Sequence, residues 1–176
     1  MWLFKRVMQE TAVKNSHCSY CGTAFPNGLA WPRRCLHCGN VSYRNPVPVS
    51  VVLLPVDDGL LLVRRTQEPQ AGKWALPGGF IELGETWQEV GAREVREETG
   101  ITVDAGRIRL FDARSAPDGT LLVFGLAPPL PSHALPPFVP SNETSEMTVA
   151  RGPLELAFST HTEVVARYWK EMDDNG

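Results

Sequence analysis

The sequence predicts an α+β domain preceded by a small, turn-rich unit, and three observations predict it. β-Branched runs recur in pairs around turn residues, two helical segments interrupt them, and all four cysteines fall between residues 18 and 38. Hairpins broken by two helices favour α+β, or a mixed α/β/α sandwich, over a parallel α/β sheet. A chain of 176 residues suits one ordinary domain plus a small appendage.

Residues 1–16 are expected to form a short helix or a loosely held arm. From His17 to Asn40 the chain is rich in turn residues. "PVPVSVVLLPV" (46–56) is a β-branched run; Asp57, Asp58 and Gly59 make a turn, and "LLLVRR" returns, which is a hairpin signal. A helix then runs towards Gly100. Thr86 and Glu89 form a capping box at its start, and Gly100 supplies the C′ stop. "RIRLFDARS" and "TLLVFGLA" flank "APDG" as a second hairpin. The segment 128–140, "PPLPSHALPPFVP", reads as an irregular or polyproline loop that cannot sit inside a sheet. "EMTVAR" (146–151) is one more strand. "HTEVVARYWKEM" closes the chain as a helix that buries Val164, Val165 and Tyr168 or Trp169.

Composition excludes some classes of protein. With 43% hydrophobic and 21% charged residues the chain can build a core, which argues against disorder. Residues 1–45 carry Lys5, Arg6, Lys14, Arg33, Arg34 and Arg44 against Glu10, or +5; with a net charge of −3, the remainder carries −8. That asymmetry marks a boundary near residue 45. The expected division is an arm over 1–16, a cysteine-bearing unit over 17–45 and a main domain over 46–172. The uncharged stretch Thr120–Asn142 is long enough to span a membrane but holds six prolines between Pro128 and Pro140, so no membrane span is expected. The first residues, MWLFKRVMQE, lack the apolar core and cleavage site of a signal peptide, and a cytoplasmic location is the expectation.

Cys18-x2-Cys21 and Cys35-x2-Cys38 account for every cysteine, with 13 residues between the pairs. Each CxxC is followed by glycine (Gly22, Gly39), and such a knuckle aims two thiolates at one ion. The alternative is two disulfides or free buried thiols, which a cytosolic chain disfavours. Four thiolates complete a tetrahedral shell, so the expected Zn²⁺ is structural. His17 and His37 are surplus to it.

On the first helix Glu97 and Glu98 lie within roughly 60° either side of Glu94. Like charges at i,i+4 destabilise a bare helix by a few tenths of a kcal/mol. A divalent cation among them would offset that cost, since Mg²⁺ prefers carboxylate oxygens and shares its coordination with phosphates. The alternative is a solvated acidic face braced by Arg93 and Arg96.

The surrounding residues favour the cation. Gly79, five residues, Glu85, seven residues, then Arg93-Glu94-Val95-Arg96-Glu97-Glu98-Thr99-Gly100-Ile101 matches G-x5-E-x7-R-E-U-x-E-E-x-G-U, with U a bulky aliphatic residue. The sequence therefore resembles the Nudix hydrolase superfamily. The resemblance implies a Nudix α/β/α sandwich with a mixed sheet, here behind a small zinc ribbon, and a loop–helix–loop that binds Mg²⁺ or Mn²⁺. It implies hydrolysis of a nucleoside diphosphate linked to another group. Glu97, Glu98 and Glu94 would hold the metals with help from the Gly79 carbonyl. Arg93 would orient a glutamate, and Glu85 would bind a further metal or brace the loop. The general base is left open, with Glu143 or Glu146 as candidates. A dimer is a family expectation.

Two branches of zinc-ribbon Nudix hydrolases compete. The compact type, similar to FAD and ADP-ribose pyrophosphatases, shares Tyr43-Arg44-Asn45-Pro46, the Gly72–Gly78 segment, Glu143/Glu146 and Leu156-Ala157-Phe158. It makes ADP-ribose or a dinucleotide such as FAD the expected substrate. The NADH and NAD-cap pyrophosphatases carry an S-Q-P-W-type motif after the Nudix box, where this chain reads "FDARSAPDGTLLVFG". Arg65 is a candidate phosphate or adenine contact and Trp74 a candidate base-stacking residue; a solvated strand end and a core position are the alternatives. The competing class is a non-catalytic nucleotide sensor or nucleic-acid-binding module, but +5 falls short of the dense basic face that tight nucleic-acid binding needs.

Overall fold

The computed structural model describes residues 13–174. The arm expected over residues 1–16 therefore lies, through residue 12, outside the described residues. The chain forms two compact units, residues 1–45 and 46–176. Among the described residues no helix is long and apolar enough to cross a membrane.

The first unit is built from two matching knuckles. Gly22 N–H donates to the Cys18 carbonyl at 3.0 Å, and Gly39 N–H to the Cys35 carbonyl at 2.9 Å. Both glycines sit at φ 74°, the left-handed region a Cβ disfavours, so each CxxC can turn back tightly. A short antiparallel ladder, β1 (Arg33–Arg34) with β2 (Val41–Ser42), carries the second knuckle. Its small core is Cys18, Phe25 and Cys35, with Trp31 packed against it.

In the second unit the apolar run 46–56 does not form one continuous hairpin arm. It divides at Leu54 into β3 (Val47–Leu53) and β4 (Pro55–Val56), which belong to different sheets. Only β4 turns back, through Asp57 and Asp58, onto β5 (Gly59–Arg65). The reason is burial: Val51 and Leu53 enter one core while Val52 and Leu54 enter another. A strand apolar on both faces needs cover on both, so β3 takes the centre of a sheet.

That sheet is mixed. β3 pairs antiparallel with β7 (Gly78–Phe80) and parallel with β9 (Thr120–Leu126), and β9 pairs antiparallel with β8 (Arg109–Ser115) as the expected second hairpin. In the other sheet β5 lies between β4 and β10 (Thr144–Ala150), with β6 (Trp74–Ala75) also on β5. Helix α1 (Trp87–Thr99) inserts Val95 into the core shared with Val52 and Leu61. Helix α2 (Ser159–Asp174) inserts Val164, Val165 and Tyr168 into the core shared with Val51 and Leu62; Trp169 packs at its edge. Helix, sheet and helix make the α/β/α sandwich. The 128–140 segment is irregular apart from a 3₁₀ turn at Ser132–Ala134. It also makes one isolated bridge, in which Leu130 N–H donates to the Pro55 carbonyl at 3.0 Å.

Candidate active site and metal centres

Helix α1 sets the direction of its carboxylates from its first residue. The Thr86 hydroxyl accepts from Glu89 N–H at 3.3 Å, and the Glu89 carboxylate accepts from Thr86 N–H at 2.8 Å, which completes the capping box. Gly100, at φ 76°, ends the helix by donating to the Arg96 carbonyl at 2.8 Å. Between these stops, Val90 and Val95 face the core and turn Glu94 and Glu98 towards β7. Two glycines shape their surroundings: the bare Gly78 lets β7 lie tight against Ser50 and Val51 of β3, and the bare Gly79 leaves space for a carboxylate. Gly78 N–H donates to Glu98 Oε2 at 3.2 Å, and a Cβ built on Gly79 would land on the Glu94 carboxylate. Thr144 Oγ1 donates to the Glu98 carbonyl at 3.0 Å and so ties the start of β10 to the same helix, which brings Glu143 in.

Carboxylate oxygens of Glu94, Glu98 and Glu143 all lie within 4.8 Å of one another. Two of these side chains are buried, Glu94 at 7% and Glu98 at 8% exposure. Burial, then the Glu94 charge beside it, pushes the Glu98 carboxyl up to about 8. Burial also raises Glu94, against the pull of Arg93. Hard oxygen donors crowded until they resist ionisation form a donor set that fits a divalent cation such as Mg²⁺ or Mn²⁺.

Arg93 braces the site. Its Nε donates to Glu85 Oε1 at 3.0 Å and its Nη2 to Glu85 Oε2 at 3.2 Å, a two-pronged grip that holds the Glu85 carboxyl below its ordinary value. Its Nη1 donates to Glu94 Oε1 at 2.7 Å and to Glu97 Oε2 at 3.3 Å. Glu85 thus holds Arg93, which in turn holds Glu94 in place.

The structure does not bring all the expected residues together. Glu97 points along the helix surface to Arg93 and, at 3.9 Å, to Arg96; it is outside the three-carboxylate group. Of the two later glutamates Glu143 joins the group, whereas Glu146 Oε2 lies 3.2 Å from Arg64 Nε. The register of β10 explains this, because Glu146 pairs opposite Arg64 on β5. Trp74 is part of the core packing, covered by the Arg64 guanidinium at 4.5 Å, and its carbonyl accepts from Ala157 N–H at 2.7 Å.

Arg65 lines the carboxylate pocket, a cavity of about 260 Å³. It is held there by Nε donating to the Pro69 carbonyl at 3.1 Å and by stacking over Phe158 at 5.2 Å. A second cavity, of about 410 Å³, shares Arg65, Gln67, Gly78, Gly79 and Phe80 with the first. His161 lines it and was not foreseen; three and four residues before Val164 and Val165, it reads as one more position on their apolar face.

The cysteines are arranged as the paired spacing predicts. Their sulfurs all lie within 4.8 Å of one another, with Cys18–Cys38 at 3.7 Å and Cys21–Cys35 at 3.6 Å. A tetrahedron of sulfurs about 2.3 Å from Zn²⁺ has edges of about 3.8 Å, so the set fits that ion and leaves no position open for substrate. Hydrogen bonding to the Thr23 side chain and backbone lowers the Cys21 thiol to about 5, which favours the ligating thiolate.

A profile of the NUDIX domain matches residues 44–166. The NAD-capped RNA hydrolase NudC of Shigella flexneri is 38% identical over 90 residues, covering 51% of this chain and 35% of that protein. The chain thus matches about a third of the length of these curated relatives. The crystal structure of a NUDIX hydrolase from Nitrosomonas europaea superposes with a TM-score of 0.74 at 29% identity, covering 90% of this chain and 93% of that one. The NUDIX domain of Shewanella oneidensis NrtR, solved with ADP ribose, superposes with a TM-score of 0.58 at 19% identity, covering 74% and 90%, a likeness of fold alone.

Proposed function

The chain belongs to the Nudix superfamily, and from that premise we propose that it hydrolyses the pyrophosphate bond of a nucleoside diphosphate linked to another group, releasing a nucleoside monophosphate. The observation that carries this is the convergence of Glu94, Glu98 and Glu143 beside the side-chain-free Gly79. The motifs shared with the FAD and ADP-ribose type, Tyr43-Arg44-Asn45-Pro46, Glu143/Glu146 and Leu156-Ala157-Phe158, favour ADP-ribose or a dinucleotide such as FAD as substrate. The similarity to NudC over 90 residues supports a second reading, in which the nucleotide is NADH or an NAD cap.

Glu94, Glu98 and Glu143 would hold Mg²⁺ or Mn²⁺, with the Gly79 carbonyl beside them. Bound there, the cation supplies neutralisation of the phosphate oxygens and a more acidic water. The protein's own residues do the rest. Arg93, gripped by Glu85, keeps Glu94 oriented so that its oxygens face the pocket. Arg65 offers a fixed positive charge to the diphosphate on the side facing the second cavity. Glu98, pushed up to about 8 by burial and the Glu94 charge, would be the ligand that releases a proton to solvent if a cation is bound there. Glu143, more exposed than the other two, would be the candidate to take a proton from the attacking water, through whichever of its oxygens does not face the cation. Glu97 braces Arg93 or contributes to a further ion. Residues 17–45 would serve as a structural zinc ribbon and residues 46–172 as the hydrolase domain.

The experiment is incubation with Mg²⁺ and a panel of ADP-ribose, FAD, NADH, diadenosine polyphosphates and nucleoside triphosphates, with chromatography for monophosphate. Release of AMP from ADP-ribose, FAD or NADH, abolished in Glu98→Gln, is the expected result. If no member of the panel is hydrolysed, or Glu98→Gln is as active as wild type, the reading is wrong.

A further inference from the structure

The cavity beside the carboxylate pocket contains a polar group that the hydrolytic chemistry does not use. His161, in the first turn of α2, is 5% exposed and lines that cavity. Phe124 meets its ring edge-on at 5.5 Å, and Phe158 lies tilted against it at 5.2 Å. No residue among those described hydrogen-bonds to either ring nitrogen; Nδ1 is enclosed by protein, whereas Nε2, equally unpaired, is not, and is the nitrogen left for a ligand. Buried polar groups are ordinarily satisfied, and an exception calls for an explanation. Packing alone is a poor one, because phenylalanine would fill the same aromatic box with nothing left unpaired.

The surroundings indicate what the partner is. Val49, Val51, Leu76 and Leu122 form apolar walls, and a volume of about 410 Å³ falls within the range of small-ligand pockets, about 300–1,000 Å³. The cavity opens onto the carboxylate pocket through their shared Arg65, Gly78 and Gly79. A nucleotide with its diphosphate at the carboxylates therefore has an apolar slot within reach for a flat ring. The two ring nitrogens diverge and Nδ1 is enclosed, so a ligand in the cavity can reach Nε2 alone, which in the neutral ring meets one donor or acceptor of a nucleobase edge. Burial keeps the ring neutral, holding its pKa down at about 3.

We propose that the apolar cavity receives the nucleobase of the substrate and that His161 is the specificity residue that hydrogen-bonds its edge. This deepens the pyrophosphatase reading and rests on it for the placement of the diphosphate. A site built to hydrogen-bond a polar edge rejects ligands lacking that edge, because its own polar group is then left unpaired.

The test is calorimetric binding of AMP, GMP, CMP, UMP and base-free ribose 5-phosphate to wild type, His161→Phe and His161→Gln. In wild type at least one nucleotide should bind tenfold or more tighter than ribose 5-phosphate. In His161→Phe that margin should shrink at least tenfold, with ribose 5-phosphate binding within twofold of wild type and the melting temperature not lowered. His161→Gln, whose amide supplies both a donor and an acceptor, should retain part of the margin. A margin that survives in both variants, or no nucleotide binding better than ribose 5-phosphate in wild type, overturns the assignment. Base-dependent binding without hydrolysis of any diphosphate would sink the pyrophosphatase reading and leave His161 in its role; hydrolysis with unchanged base preference in His161→Phe would do the reverse.

Discussion

Glu98→Gln should make the cation-free protein more stable while removing a carboxylate from the site. Glu98 is 8% exposed and its carboxyl is pushed up to about 8, from an ordinary value of 4.5. Between those values the folded chain binds a proton that the unfolded chain has lost. The resulting stability is fully present below about pH 4.5 and is lost as pH rises through 8. At about 1.4 kcal/mol per pH unit, the 2.5 units between 4.5 and pH 7 amount to about 3 kcal/mol. Glutamine is neutral throughout, and its carbonyl can still accept from Gly78 N–H. The variant should therefore equal wild type near pH 4.5 and exceed it by about 3 kcal/mol at pH 7. Urea unfolding followed by tryptophan fluorescence, in Mg²⁺-free buffer without chelator so that the cysteine unit keeps its own ion, measures the difference. Added Mg²⁺ should then stabilise wild type and leave the variant nearly unchanged. A gap between the two proteins that does not vary with pH, or a variant weaker than wild type at pH 7, would refute the reasoning.

Because Glu97 stands outside the three-carboxylate group, Glu94→Gln and Glu143→Gln should each weaken Mg²⁺ binding by more than about tenfold, roughly 1.4 kcal/mol. Glu97→Gln should weaken it less than either; equal losses in calorimetry would show that Glu97 reaches the same ion. Gly79→Ala should displace the Glu94 carboxylate and cost Mg²⁺ affinity on a similar scale, about tenfold. Retained affinity would mean that Glu94 is not held against β7. Purified protein should contain one zinc per chain, and Cys35→Ser should lose it together with protease resistance between residues 13 and 45. Structural zinc contributes on the order of 10 kcal/mol of folding free energy in isolated fingers. Full zinc content in that variant would exclude Cys35 as a ligand.

The parts of the site that were legible in the sequence are those set by local geometry. Thr86, Glu89 and Gly100 announce the limits of α1 because capping is decided within one turn. The cysteine knuckles announce themselves because CxxC followed by glycine closes on its own backbone. The division of the run 46–56 was not legible, since β3 and β4 both look apolar and extended; only the two cores decide which residues leave with which sheet. The choice of Glu143 over Glu146 was equally hidden, because it depends on the register of β10 against β5 and on Thr144 bonding to α1.

By itself the sequence determined which residue types stand at which spacing: a helix with three carboxylates on one side, a glycine pair ahead of it, and four thiols in two knuckles. Those follow from backbone periodicity and short-range hydrogen bonds, which act within a few residues. The tertiary structure decided which carboxylates share a site and left a buried imidazole without a partner. Each of these depends on groups brought from distant parts of the chain into a low-dielectric interior. There the cost of an unneutralised charge or an unpaired nitrogen is large enough to define what the site will accept.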